Sequence, residues 1–348
     1  MSELSNLLAD TVERLFDGAM TREVLQAAET GNFQADLWRA VEAAGLPLAL
    51  ADEAAGGAGA TWADALPILL GAGRHAVPLP LAEAVAAGAL LSQAGAAPPS
   101  GAITLASGIL VVDAAGKVSG ALAEVPWGVT SDHVVAATAD GGLALVAVDA
   151  AVRTGRHRNI GRDARDTLVF AGACPEALVP AGNCDGGASV MRAGAMVRAA
   201  QLAGGIGKAL DMAVLYAGER VQFSRPIGRF QAVQQQLAEL AVQAAQAGMA
   251  VRVAASALDA GGDAGFAVAS AKIVCSDAAG LALRVAHEVH GAIGFTDEHM
   301  LHYVTRRITA WRGEFGSAAY WAARLGRDAA RRGGDALWPD LVARQTLA

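Results

Sequence analysis

The stretch Glu219 to Leu240, ERVQFSRPIGRFQAVQQQLAEL, constrains this chain more than any other. A helical pattern that starts near Ala188 is stopped here by polar residues and by Pro226 with Gly228, because proline lacks an amide donor and glycine gives up the most backbone entropy. A second helix begins near Phe230. In it Val233, Leu237, Leu240, Ala241 and Ala244 recur at helical spacing, whereas Gln234, Gln235 and Glu239 occupy the other face. The spacing therefore predicts two helices around a tight break, one side packed and the other facing solvent or a partner. Arg220, Arg225 and Arg229 place three permanent cations within ten residues, beside Phe223 and Gln231, a setting suited to a phosphate or carboxylate. A solvated charged turn is the competing reading of the same residues, since charges gather at helix ends.

The rest of the composition narrows the class. At 348 residues the chain can hold two or three cores, and 53% hydrophobic residues with a net charge of −7 describe a globular protein with little attraction for nucleic acid. Aromatics reach only 5% while Ala and Gly dominate, which favours closely packed helices over a base-stacking platform. Cys174, Cys184 and Cys275 are too few and too scattered for a zinc site or a disulfide framework, so a reducing cytoplasm is expected. The start, MSELSNLLADTVERLF, carries acids where a signal peptide has a basic region, and no run reaches the roughly 18 uninterrupted apolar residues of a membrane span. The expectation is a cytoplasmic protein that binds neither membrane nor nucleic acid.

In chain order, residues 1 to 98 read as helices, with Leu7, Leu8, Val12 and Leu15 on one face, a Gly-rich turn at Gly56, Gly57 and Gly59, and a linker at Pro98-Pro99-Ser100-Gly101. Residues 99 to 183 give short apolar runs separated by Gly or Asp, the pattern of an antiparallel sheet or barrel, with a hairpin turn at Gly141-Gly142. Residues 184 to 330 return to helix, over Ala188–Gly218, Phe230–Ala260, Ala264–His290 and His302–Arg327, and 331 to 348 form a tail. Helix, sheet, helix is the predicted order: an α+β fold.

The ordered string R-x-Q-F-x-R-P-I-G-x-F-Q-x-V-x-x-x-L-A-E, starting at Arg220, resembles the signature of the acyl-CoA dehydrogenase family. So does HGAIGF at His290 to Phe295, followed by Thr296, Glu298 and His299, and so does WRAVEAAGLPLALADEAAGGAGA from Trp38. The resemblance spans nearly the whole chain and implies an N-terminal helical domain, a middle β-domain and a C-terminal four-helix bundle. It also implies FAD as cofactor, an acyl-CoA thioester as substrate and an electron-transfer flavoprotein as acceptor.

The residues that would carry this chemistry are unevenly present. The family takes the substrate α-proton with a glutamate, found at one of two positions; here Val197 stands at one, and Phe315-Gly316-Ser317 stands on the Glu-Gly-Thr triplet at the other, with Glu314 one residue early. On a helix such a shift turns a side chain by about 100°. Glu314 is the candidate base, and an ion-pair partner for Arg312 or Arg307 is its alternative role. For the pyrophosphate end of FAD, held across a subunit interface in the family, Arg220, Phe223, Gln231, Gly291 and Gly294 match, while Glu288 replaces a glutamine. For the flavin ring, the family's Thr-Glu-Pro-x-x-Gly-Ser-Asp and Trp-Ile-Thr-Asn segments have no counterpart beyond Trp127 and Thr130-Ser131. His287, Glu288, His290, His299 and His302 lack the H-E-x-x-H arrangement, and no metal is expected.

Three functions compete on these residues. One is a dehydrogenase subunit that lends Arg220, Phe223 and Gln231 to the FAD of a catalytic homologue, the reading the unequal half-sites favour. The second is a self-sufficient homo-oligomeric dehydrogenase with Glu314 as base. The third is a flavin-dependent hydroxylase or oxidase on the same fold.

Overall fold

The computed structural model describes residues 2–182, 185–261 and 263–345, so Cys184 lies outside the described residues. Five helices come first: α1 (Glu3–Phe16), α2 (Arg22–Thr30), α3 (Ala35–Ala43), α4 (Trp62–Arg74) and α5 (Leu81–Gln93). The amphipathic α1 buries Leu8, Val12 and Phe16, whereas α5 is buried on every side from Leu81 to Leu91, as expected of a helix with no polar face.

Seven strands follow: β1 (Ile103–Val112), β2 (Val118–Pro126), β3 (His133–Thr138), β4 (Leu143–Ala147), β5 (Arg153–Gly155), β6 (Arg165–Ala173) and β7 (Ala177–Val179). They form one sheet in the order β5-β6-β2-β1-β3-β4-β7. The hairpin at Gly141-Gly142 joins β3 to β4 as expected, with Gly141 at φ +94°, a conformation glycine reaches without cost. The expectation of a purely antiparallel sheet fails at its centre, where β1 and β3 pair in parallel. Strand patterning carries burial but not direction, and β2 leaves to pair with β6 before the chain returns to β3.

The C-terminal bundle contains α6 (Gly186–Glu219), α7 (Gln231–Asp259) and α8 (Gly265–His290), each within a few residues of its predicted limits. The helix predicted over His302–Arg327 is two: α9 (Leu301–Trp311) and α10 (Ala318–Arg332). Gly316 at φ +91° and Ser317, whose side chain caps α10 by accepting from the Tyr320 amide at 3.2 Å, break the run. The segment set apart as a tail carries a further helix, α11 (Gly334–Gln345). Residues 265–295 are long and apolar enough to cross a membrane by composition alone, yet Val268, Ala271, Cys275, Ala278 and Ala282 of that stretch are buried within the bundle.

Small residues set the spacing between layers. A Cβ at Gly204 of α6 would strike the Leu70 carbonyl, and one at Gly73 of α4 would strike the Gln201 backbone, so these helices touch main chain to main chain. Asp259 at the end of α7 ties that helix to the start of α4: its carboxylate accepts from the amides of Trp62 and Ala63 at 2.7 and 2.9 Å, while Thr61 caps the Asp64 amide. A carboxylate at a helix N-terminus satisfies orphan donors and opposes the helix dipole. Asp259→Ala is expected to lower unfolding stability by about 1–2 kcal/mol, the cost of a lost cap, read as a fall in urea midpoint with an unchanged slope.

Candidate functional site

Glu314 sits in the α9–α10 turn at the wall of a cleft of about 750 Å³ between the sheet and the bundle, lined also by Asn159, Arg165, Met191, Ala310 and Phe315. The carboxylate is not free. Arg165 from β6 approaches it through Nε at 2.8 Å and Nη2 at 2.9 Å, Arg198 from α6 donates at 2.7 Å, and Asn159 donates at 2.9 Å. Its expected alternative partners, Arg312 and Arg307, are not the ones it has. Arg198 is 1% exposed and reaches on to Gln201 at 2.5 Å and to Glu83 of α5. Burial alone would raise the Glu314 pKa, but the charges of Arg165 and Arg198 and the hydrogen bonds of Arg165 and Asn159 outweigh it and hold the carboxyl well below the usual carboxylate range. Arg198 is shifted the other way: burial favours losing its proton, and Glu83 with Glu314 more than reverse that. A carboxylate so stabilised as an anion is a poor proton acceptor. Sequence reasoning named neither Glu83, Asn159 nor Arg165, which lie 149 or more residues from Glu314 or touch it only through Arg198.

The neighbouring Phe315 is buried, with φ +50°, and its ring fills space that only glycine at position 194 leaves open; Arg198 lies 5.6 Å from the ring centroid. Trp321 donates through Nε1 to the Phe315 carbonyl at 3.0 Å. Val197, at the other expected base position, is wholly buried in α6.

The break after α6 is a two-residue β-hairpin, β8 (Val221–Gln222) and β9 (Arg225–Pro226), with Phe223 and Ser224 at its tip at φ +50° and +63°. Two successive left-handed residues are the turn that matches strand twist. Phe223 is 88% exposed, and Arg225 stacks on Phe230 at 4.2 Å from its centroid. Arg220 and Gln231 are exposed, and the Arg220 side chain has no partner among the described residues. One turn before Arg220, Tyr216 stacks on His290 at 4.6 Å, which brings the hairpin beside Gly291. Gly291 is exposed at φ +62°, leaving its backbone open, whereas Gly294 is buried because a Cβ there would press on His290 and His287. Glu288 accepts from Gln236 at 2.8 Å and pairs with Arg284 at 3.1 Å, so its charge is compensated. His287, His290, His299 and His302 crowd together, and burial, the leading cause in each case, lowers the pKa of all four below the ordinary imidazole value. Among the described residues no three His, Cys, Asp or Glu side chains are grouped to hold a metal.

Residues 188–329 match the profile of the acyl-CoA dehydrogenase C-terminal domain. Acyl-CoA dehydrogenase IpdE2 of Mycolicibacterium smegmatis is 27% identical over 317 residues, covering 88% of this chain and 93% of that protein. Acyl-CoA dehydrogenase FadE34 of Mycobacterium tuberculosis is 33% identical over 321 residues, 88% of this chain and 44% of that protein. The ChsE4-ChsE5 complex from Mycobacterium tuberculosis contains a chain that superposes with a TM-score of 0.85 at 25% identity, over 94% of this chain and 97% of that one. The chain belongs to the acyl-CoA dehydrogenase family. A steroid acyl-CoA dehydrogenase variant, Tcur3481-Tcur3483, superposes with a TM-score of 0.84 at 27% identity, over 99% of both chains. The acyl-CoA dehydrogenase architecture expected from the sequence is thus the one observed, with its fourth bundle helix divided at the turn that carries Glu314 and Phe315.

Beneath that turn lies Lys272 of α8, fully buried, whose ammonium donates to the Trp311 and Arg312 carbonyls at 3.0 and 2.9 Å and so caps α9. Burial pushes its pKa down to about 7, against the pull of Glu314. The unfolded lysine titrates near 10.4, so between about pH 7 and 10 the unfolded chain binds more protons and native stability rises with pH. Below that window the burial cost is fully present. Compared with Lys272→Met, the wild type is expected to gain stability from pH 7 to pH 9.5, by at most about 1.4 kcal/mol per pH unit. Urea unfolding at the two pH values measures this, and parallel behaviour of the two proteins would refute the assignment.

Proposed function

We propose that this chain is a subunit of an FAD-dependent acyl-CoA dehydrogenase that pairs with a catalytic homologue and lends its bundle to the partner's cofactor site. The observation that carries the reading is the state of the α9–α10 turn: Phe315 occupies the base position, and the adjacent Glu314 is spent on Arg165 and Arg198. Removing the α-proton of a thioester, a very weak acid, needs a base held at the reacting carbon, and the position where the family carries its glutamate offers only Phe315 and a committed Glu314.

The outer site fits FAD better than the inner one fits a reaction. Arg220 has an uncommitted guanidinium, Gly291 an open backbone, and Glu288 is neutralised by Arg284, so it does not repel a pyrophosphate. FAD, when bound, supplies the hydride acceptor; this chain would bind and orient its pyrophosphate end through Arg220, Phe223, Gln231 and the Gly291 backbone. The ChsE4-ChsE5 structure is a complex of two named chains, which supports a heteromeric arrangement here. An acyl-CoA thioester with a bulky acyl group is the proposed substrate class, supported by the steroid description of Tcur3481-Tcur3483. An electron-transfer flavoprotein is the proposed acceptor, and the cytoplasm the proposed location.

Flavin absorbance against protein concentration tests this. The chain alone is expected to retain well under one FAD, and the complex with its homologue one FAD per pair; a yellow homodimer that oxidises acyl-CoA would return Glu314 to the role of base. Arg220→Ala should weaken FAD retention in the complex roughly ten-fold or more, the worth of a charged hydrogen bond.

Glu314→Gln separates the two roles of that residue. Loss of one member of a buried ion pair is expected to cost about 3 kcal/mol of stability, whereas turnover per folded complex should be unchanged; loss of turnover without loss of stability is the opposite signature.

A further inference from the structure

The connection from β5 to β6 carries Arg156, His157, Arg158 and Arg162 within seven residues. All four line one cavity of about 50 Å³, together with Trp127 and Thr130. The carboxylates nearby are already engaged. Asp166, which itself lines the cavity, accepts from the amides of Val129 and His157 at 2.8 and 3.3 Å. Glu29 of α2 pairs with Arg306 at 2.6 Å and lies 3.9 to 4.0 Å from Arg307 and Arg162, while Asp163 pairs with Arg307 at 2.9 Å. Arg158 reaches the Glu29 carbonyl oxygen, passing over Gly31, where any Cβ would meet its guanidinium. Arg156 is exposed and has no ion-pair partner among the described residues.

Three guanidinium groups, Arg156, Arg158 and Arg162, therefore line the cavity against one lining carboxylate, Asp166, in a chain whose net charge is −7. Arg306 and Arg307 stand outside the cavity lining and are paired with Glu29 and Asp163, so they take those two carboxylates away from the cavity arginines. An excess of positive charge in a concave site is the condition an oxyanion satisfies. At roughly 10–15 Å³ for each water-sized centre, the cavity holds about four such centres, close to the five heavy atoms of a phosphate and too few for a base or a flavin ring.

We propose that this cavity is a phosphate site, holding the oxyanion of inorganic phosphate or of a phosphate monoester on Arg156, His157, Arg158 and Arg162. It lies between α2 and the β5–β6 connection, with His157 and Arg158 also bordering the Glu314 cleft, and stands whether or not the chain shares FAD with a partner. Calorimetric titration of the full chain with inorganic phosphate, with adenosine 3′,5′-bisphosphate and with adenosine tests it. Saturable binding of the phosphorylated probes at one per chain, none of adenosine, and weakening at high salt are expected. Bisphosphate at least ten-fold tighter than phosphate identifies a monoester ligand, and equal affinities identify free phosphate. Arg156→Gln and Arg162→Gln should each weaken binding roughly ten-fold, with Arg156→Gln leaving the melting temperature unchanged because that side chain is exposed and makes no hydrogen bond or ion pair among the described residues. Absence of saturable binding by either phosphorylated probe at about 10 mM, or binding that neither substitution weakens, overturns the proposal.

Discussion

Arg198 is the side chain on which the relative placement of the layers depends. A guanidinium that is 1% exposed cannot stand alone, since an unpaired buried charge costs several kcal/mol. It is met by Glu83 from the first helical region, by Gln201 one turn along its own helix, and by Glu314 from the end of the bundle; Glu314 in turn draws in Arg165 from the sheet. Four parts of the chain distant in sequence thus close around two arginines and two carboxylates. Ion pairs of this kind often add little net stability over a well-packed apolar substitute. Their geometric demands are strict, however, and a slip of α5 or of the sheet against α6 would leave a charge without its counterion.

That network works only because the backbones are close. Gly73 and Gly204 let α4 and α6 touch, and Gly194 admits the Phe315 ring, so the α9–α10 turn sits low enough for Glu314 to reach Arg198. The Ala and Gly bias of the sequence is therefore a requirement of the polar centre as much as of the apolar core. Lys272 completes the arrangement from below by holding the last carbonyls of α9, fixing where the turn begins.

Much of this was legible in the sequence, for reasons that can be traced residue by residue. Periodicity placed α6, α7 and α8 within a few residues because their apolar faces are long and end at Pro226, at the Gly-Asp run near 263 and at Gly291. The division of the last helix was missed because the apolar spacing through Trp311, Phe315 and Trp321 continues across the turn, and only Gly313 and Gly316 mark it. The parallel β1–β3 pair was illegible in principle, since alternation does not encode strand direction. The hairpin at Phe223-Ser224 was hidden because neither residue is a usual left-handed one. The partners of Glu314 come from long-range contacts, which no local pattern records. The arginines from 156 to 162 were visible as a run of charge, but a run does not say whether its members converge on one cavity.

The inner and outer sites answer opposite electrostatic conditions. Inside the cleft, Arg165 and Arg198 are matched by Glu83 and Glu314, so the fold itself consumes the charge that chemistry would need, and the Glu314 carboxyl is held in its ionised form by the two arginines. At the hairpin the balance is different: Arg220 lacks a counterion among the described residues, and Phe223, on a left-handed turn, is 88% exposed with an edge-to-face contact to Phe230. A segment that exposes an aromatic ring and a free guanidinium recovers the cost of that exposure only through contact with another molecule. On the proposed reading the two conditions have one origin. A subunit relieved of proton transfer can lock its cleft with ion pairs, while its remaining task, holding the anionic end of a cofactor whose ring lies in a partner, keeps the hairpin rigid, exposed and positively charged.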